Sequence, residues 1–172
     1  LMLRPKVLVC DEPVSALDVS IQAQILNLLK DLQDEFRLSY VFISHDLSVV
    51  RYLADRVLVI YLGRAVEYGT AAEVLTQPKH PYTQALLAST PEIRFDGVAR
   101  AQTVRGELPS PLNPPSGCRF HNRCPYVIDR CRIDRPVLDA DSSGLATACH
   151  RMAQMPPPAP NGPVFDGLSP AL

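Results

Sequence analysis

The sequence has no long hydrophobic run. Its longest uninterrupted apolar stretch, Val57 to Leu62, is six residues, where a bilayer crossing needs roughly twenty, so no segment reads as a membrane span. An excess of charge is missing as well. The chain carries 17 Lys and Arg against 18 Asp and Glu, a formal net charge of -1, which is too weak a field to hold a polyanion and argues against nonspecific nucleic-acid binding. No leader of charged, then apolar, then small residues opens the chain, and its first residue is Leu1 rather than Met, so it is expected to begin inside a longer reading frame. Proline and cysteine are sparse in the first part. Five of the 17 prolines lie before residue 100 and twelve from Pro109 onward, while Cys10 stands alone and Cys118, Cys124, Cys131 and Cys149 cluster later. A length of 172 residues allows one domain with a small appendage, and the change of composition puts a boundary near residue 100.

Val7 to Cys10 is a short apolar run that ends abruptly in Asp11 and Glu12, the pattern of a parallel strand covered on both faces and stopping at a polar sheet edge. Ile21, Ile25, Leu28, Leu29, Leu32 and Phe36 recur at helical spacing among Gln22, Gln24, Lys30, Asp31 and Asp34, which predicts a one-faced helix. Tyr40–Ile43 reads as a second strand, Leu47–Ala54 as a second helix and Val57–Tyr61 as a third strand. Gly63 and Arg64 then turn the chain into a return strand, Ala65–Tyr68, followed by Gly69 and a helix around Ala71–Leu75. This alternation predicts an α/β fold with a parallel sheet and right-handed crossovers. Three strands and two helices do not cover both faces of such a sheet, so further strands are expected upstream of Leu1.

Ligands of open α/β sheets bind beyond the carboxyl ends of the strands, which is where Asp11 and Glu12 fall. Adjacent carboxylates suit two tasks: one holds Mg2+, usually through water, while the other orients and deprotonates an attacking water. A solvated strand end with two ordinary acids is the plainer reading. The stretch VLVCDEPVSALDVSIQAQILNLL resembles the Walker B strand, catalytic glutamate, D-loop and following helix of ABC-transporter ATP-binding subunits, and FISHDL resembles their H-loop. The resemblance implies that Asp11 helps to hold Mg2+, that Glu12 is the general base, and that His45 contacts and senses the γ-phosphate of ATP. It also implies that Ser15 and Asp18, within a D-loop of Ser15, Ala16, Leu17 and Asp18, reach toward the nucleotide of a second subunit. Asp18 as a helix cap and His45 as a hydrogen-bonded loop histidine are the structural alternatives. His45-Asp46 also matches the bare dyad of metal-dependent phosphohydrolases, but that chemistry needs further ligands, and His80, His121 and His150 all fall in linker or proline-rich sequence. The glycine-rich phosphate loop, glutamine loop and signature segment of the ABC pattern do not occur in these residues; as given, the sequence holds the hydrolytic half of such a site without the binding half.

QPKHPYTQALLAST, with His80, Pro81 and Tyr82 ahead of Ala85, Leu86, Leu87 and Ala88, is an ordinary turn and docking helix on its own. Followed by GELPSPLNPPSGCRFHNRCPYVIDRCR and ACH, it resembles the C-terminal extension of the ATP-binding subunits of oligopeptide and dipeptide ABC importers. The four clustered cysteines are separated by five, six and seventeen residues, loose for a zinc knuckle but workable for a site in a folded loop. Pro114, Pro115, Gly117 and Pro125 stiffen or bend that loop, and Arg119, Arg123, Arg130, Arg132 and Arg135 offset the charge of four thiolates. Two disulfides are chemically possible, although a cytosolic ATPase sits in a reducing compartment. The resemblance implies an iron-sulfur cluster, 4Fe-4S, on Cys118, Cys124, Cys131 and Cys149; zinc on the same thiolates is the alternative. Cys10 reads as small core packing.

The division expected is therefore residues 1–76 as the C-terminal part of an ABC nucleotide-binding domain, 77–151 as the extension with its four-cysteine site, and 152–172 as a proline-rich disordered tail. The family resemblance implies an ATP-hydrolysing subunit that powers peptide import from the cytoplasmic face of the membrane. Its partners would be a second, homologous ATP-binding subunit, transmembrane permease subunits and, indirectly, an extracytoplasmic peptide-binding protein, with no nucleic acid. The alternative function is a metal-binding or redox module without ATP turnover.

Overall fold

Val7–Asp11 (β1) and Ser39–Ile43 (β2) pair in parallel, with Val7 opposite Ser39 and Asp11 opposite Ile43. The computed structural model describes residues 5–89 and 107–154. Two compact units divide between Asp55 and Arg56. In the first, the crossover from β1 to β2 is the helix Val19–Phe36 (α1), ended by Arg37 in the left-handed conformation with its N–H on the Gln33 carbonyl. A second helix, Leu47–Leu53 (α2), follows β2; Asp46 caps it by accepting the Ser48 N–H at 2.8 Å. Val14, Leu26 and Val49 form the core between these elements, with Ile25 and Phe42 packed against them. The apolar stripe of α1 is rotated from the one expected: Leu26 is buried, whereas Ile21, Leu28 and Phe36 are exposed. β1 is likewise not covered on both faces, because Val7, Val9, Val41 and Ile43 stand exposed on one side of the two-stranded sheet.

The third strand differs from its expected role. Arg56–Tyr61 (β3) does not extend the parallel pair; it forms an antiparallel hairpin with Arg64–Thr70 (β4). Leu62 and Gly63 supply the turn, with φ of 45° and 72°. Positive φ at both central residues is what a tight hairpin turn matching the strand twist requires, and a loop too short for a parallel crossover leaves no other pairing. Ala71–Thr76 (α3) follows β4 directly, closed at its start by a reciprocal capping box between Thr70 and Glu73. Pro81–Ala88 (α4) comes next, with Pro81 in its first turn.

The cysteine-bearing segment contributes a helix, Asp129–Ile133 (α5), and two short strands, Asp139–Ala140 (β5) and Ala146–Thr147 (β6). β6 pairs with β4, giving a four-stranded antiparallel sheet in the order β3-β4-β6-β5. The extension is thus not an irregular appendage; its last strand is built into the hairpin sheet. Met152–Gln154, expected to open the disordered tail, form a short 3-10 turn. The rest of that tail, from Met155, lies outside the described residues, as does the expected boundary near residue 100.

Glu67 of β4 is fully buried. Its carboxylate accepts the backbone N–H groups of Lys79 at 2.5 Å and His80 at 3.3 Å, fastening the α3–α4 connection to the sheet. Burial pushes its pKa up, and the two N–H groups pull the other way. An aromatic group joins the remaining elements: the Tyr61 ring lies 4.6 Å from Tyr82 and 5.3 Å from Phe120, and Phe120 lies 5.6 Å from Tyr82. Arg119 donates to the Leu62 carbonyl in the hairpin turn.

Two predictions follow from this packing. Glu67→Ala orphans two buried N–H groups and should cost about 3 kcal/mol, while Glu67→Gln, which keeps one acceptor, should cost about half of that. Urea unfolding followed by circular dichroism measures both; equal costs would mean that acceptor geometry is not what Glu67 supplies. Gly117 sits at φ +60°, and a Cβ there would lie 2.4 Å from the Cys131 carbonyl oxygen. Gly117→Ala should therefore cost about 3 kcal/mol, against about 1 kcal/mol for Gly144→Ala, where φ is +91° but no atom lies within 4 Å of the added carbon.

Candidate functional site

The parallel register of β1 and β2 ends both strands at the same level, Asp11 opposite Ile43. The residues just beyond then meet: His45 Nδ1–H donates to Glu12 Oε1 at 3.1 Å. Glu12 itself has φ of 46°, a left-handed conformation that a glutamate adopts only under constraint. The constraint is visible in the backbone, where Glu12 N–H bonds the Ile43 carbonyl at 3.0 Å and the Glu12 carbonyl accepts the Ser15 hydroxyl at 3.0 Å. Both members of the pair face solvent, His45 more than Glu12. Asp11 is exposed at the end of β1. Asp18 occupies the N-cap position of α1 but its side chain makes no capping bond, so the role of a simple helix cap does not account for it. Asp46 is held differently from His45: burial alone would raise its pKa, but bonds from Ser48 and Gln22 outweigh it and hold the carboxyl below its usual value. The sequence-predicted residues Asp11, Glu12, Ser15 and His45 are thus brought to one edge of the sheet, with Asp18 at the start of the next helix.

The second site lies wholly within the second unit. Cys118, Cys124, Cys131 and Cys149 line one cavity of about 20 Å³, and all four are free thiols, so the two-disulfide arrangement is not formed. The cavity is assembled by Cys118 N–H on the Cys131 carbonyl at 2.9 Å, His121 Nδ1–H on the Cys118 carbonyl at 2.8 Å and His150 Nε2–H on the Asp134 carbonyl at 2.9 Å. Cys149 Sγ accepts the Arg151 backbone N–H at 3.4 Å, and the backbone N–H groups of Phe120 and Tyr126 pull the pKa of Cys118 and Cys124 down. Burial nevertheless pushes the thiols of Cys118 and Cys149 up, and that of Cys124 up to about 11, against the pull of those N–H groups and with mutual repulsion adding to the rise. Among the described residues, no three or more His, Cys, Asp or Glu side chains are drawn together as ligands of a metal ion. Four cysteines bordering one cavity are the residue type suited to thiolate ligation. The room between them is about that of one water, so seating a polynuclear core requires the loop to spread.

Two of the five arginines expected around the thiolates are engaged elsewhere. Arg119 holds the hairpin turn, Arg130 pairs with Asp134 at 3.2 Å one helical turn on, and Arg151, not among those singled out, is the cation that acts on Cys149. Two other residues escaped the sequence reading. Glu67 follows an apolar neighbour in a strand and nothing in the sequence marks it as buried. His80 was visible in its Pro-Tyr context, yet that pattern announces only a helix start. In the structure His80 is 1% exposed, accepts the Tyr82 N–H on Nδ1 at 3.0 Å, and lines the cysteine cavity beside Phe120. Burial pushes its pKa down to about 4, so the ring is neutral at neutral pH.

Residues 66–131 match the family described as oligopeptide/dipeptide transporter, C-terminal region. The chain is 56% identical over 154 residues to the di/tripeptide transport ATP-binding protein DppF of Pseudomonas aeruginosa, covering 90% of this chain and 47% of that protein. It is 54% identical over 154 residues to the dipeptide transport ATP-binding protein DppF of Escherichia coli, covering 90% and 46%. With the oligopeptide transport ATP-binding protein OppF of Salmonella typhimurium it shares 56% identity over 141 residues, 81% of this chain and 42% of that protein. The chain spans about half the length of these curated relatives. Over the half of their length that it spans, the chain is similar to peptide-transport ATP-binding proteins, and its residues 66–131 to the oligopeptide/dipeptide transporter C-terminal region.

Proposed function

We propose that the chain is the hydrolytic part of an ATP-binding subunit that powers import of short peptides. The observation that carries the reading is the 3.1 Å bond from His45 to Glu12 across the ends of two parallel strands. Glu12 is the general base: its carboxylate orients a water and takes its proton as that water attacks the terminal phosphate. His45 holds the carboxylate through Nδ1–H and leaves Nε2 for the phosphate. Asp11 would help to hold Mg2+, and the bound ATP–Mg2+ would supply the phosphate bond to be broken and the charge neutralisation. Ser15 and Asp18 face a second ATP-binding subunit, and residues 1–76 act as part of the nucleotide-binding domain. The exposed apolar face of Val7, Val9, Val41 and Ile43 is the face that a further layer of an α/β domain covers, in keeping with relatives about twice as long. No helix among the described residues is long and apolar enough to cross a membrane; the subunit works from the cytoplasmic face, docked on transmembrane permease subunits that receive peptide from an extracytoplasmic binding protein.

Residues 77–151 add a metal centre on Cys118, Cys124, Cys131 and Cys149. The cluster, rather than zinc, is the reading that the resemblance to the peptide-importer extension carries, since four thiolates suit either metal. The N–H groups aimed at the sulfurs also favour thiolates over thiols.

In the full-length subunit assembled with its partner, Glu12→Gln should bind ATP normally and lose at least about 100-fold in turnover. Steady-state phosphate release and nucleotide binding, measured side by side, decide it; near-normal turnover would remove Glu12 as the base. Anaerobically purified protein should contain iron and acid-labile sulfide in similar amounts. Replacing any one of the four cysteines with Ser should abolish both, and Cys10→Ser should change neither. Stoichiometric zinc without iron would sink the cluster but keep the four ligands; four titratable free thiols and no metal would sink both.

A further inference from the structure

Beside the cysteine cavity the second unit holds a larger one, of about 320 Å³, a size within the range of small-molecule sites. One part of its wall is cationic. Arg64, Arg119 and Arg135 line it, and no Asp or Glu among the described residues does. Another part is apolar, formed by Val66, Phe120, Val137 and Leu138. Among the described residues the side chains of Arg64 and Arg135 make no hydrogen bond or ion pair, and both are exposed. Arg119 gives one N–H to the Leu62 carbonyl, and the rest of its fork stays available. Three like charges around one cavity repel one another. Val137 at 72% and Leu138 at 37% exposure leave apolar surface in water beside them, and neither feature stabilises the fold by itself. The wall is held by other bonds. Ala148 N–H bonds the Val66 carbonyl at 2.8 Å, and Ser116 Oγ–H and His150 Nε2–H hold the Arg132 and Asp134 carbonyls, each at 2.9 Å, just ahead of Arg135.

We propose that this cavity binds a small organic anion, its carboxylate taken by Arg64, Arg119 and Arg135 and its apolar body packed against Val66, Val137 and Leu138. The planar fork of arginine matches a carboxylate with two parallel hydrogen bonds, and a cleft lined by one sign of charge concentrates ions of the other. The same lining selects against a free amino acid. Its ammonium would meet three guanidinium groups and no carboxylate, so the ligand class is an anion that carries no cationic group. The inference goes beyond the ATPase reading and depends on no metal at the cysteines.

The test is titration of the full-length subunit with 3-phenylpropanoate, followed by ligand-observed NMR, beside two analogues. Phenylalanine adds only the ammonium, and 3-phenylpropanamide removes only the charge. The expected result is saturable binding of 3-phenylpropanoate with a Kd below about 1 mM, and binding of either analogue at least about tenfold weaker. The Arg64→Ala, Arg135→Ala double variant should also bind 3-phenylpropanoate at least about tenfold more weakly, with unchanged thermal melting because both side chains are exposed. No saturable binding by wild type at about 10 mM probe overturns the site. Phenylalanine bound as well as 3-phenylpropanoate overturns the ligand class, and the amide bound as well overturns the role of the arginines. A double variant that binds like wild type overturns the placement. Should that variant melt lower, Val137→Asp decides, since it sets a carboxylate in the exposed wall: lost binding supports the site, and wild-type binding overturns it.

Discussion

The fold of residues 107–154 is constrained by a shortage of buried apolar side chains. Between residues 107 and 154 the buried hydrophobic groups are Phe120, Cys131, Leu145, Ala146 and Ala148, too few and too small to offset the entropy of ordering nearly fifty residues. The segment folds by borrowing a surface. Phe120 enters the ring cluster of Tyr61 and Tyr82, β6 takes the free edge of β4, and Arg119 grips the hairpin turn. Every one of these attachments reaches back to the β3–β4 hairpin or α4, so the cysteine-bearing segment is anchored by elements that carry no cysteine.

The two candidate sites are built on opposite principles. Around Glu12 the precision comes from backbone register: two parallel strands stop level with each other, and the next residues have little freedom over where they meet. Their side chains remain open to water. Around the cysteines the precision comes from many local bonds in a segment of little regular structure, and the thiols face inward. The pair beyond the strand ends is thus left accessible, whereas the cysteines border a small cavity.

Local patterns were legible wherever a period or a turn residue controlled the outcome. The spans of α1, β2, α2, β3 and β4 agree with the spacing of their apolar residues to within a residue or two, and the strand ends locate Asp11 and Glu12. Pairing was legible only in part: the Gly63-Arg64 turn announced the return strand Ala65–Tyr68, but the apolar run Val57–Tyr61 alone does not say whether the strand also joins β1 and β2. The stripe of α1 was misjudged for a related reason. Its helix is apolar on more than one side, and periodicity alone cannot say that Leu26, rather than Ile21 or Leu28, meets Val14 and Val49. Glu67 and His80 were hidden because burial of a polar side chain depends on partners, and theirs are backbone groups that any sequence would supply.

The β4–β6 pairing sets the order in which this polypeptide can mature. Glu67 lies opposite Thr147, so β4 leaves the ribosome some eighty residues before its partner strand does, and the closing loop carries a corresponding entropic and kinetic penalty. Until Thr147 emerges, one edge of β4 presents unpaired backbone groups, a template for wrong pairing. Cys149 arrives only two residues later, so sheet closure and delivery of the last sulfur are nearly simultaneous events in synthesis, and a chain terminated just short of them loses both.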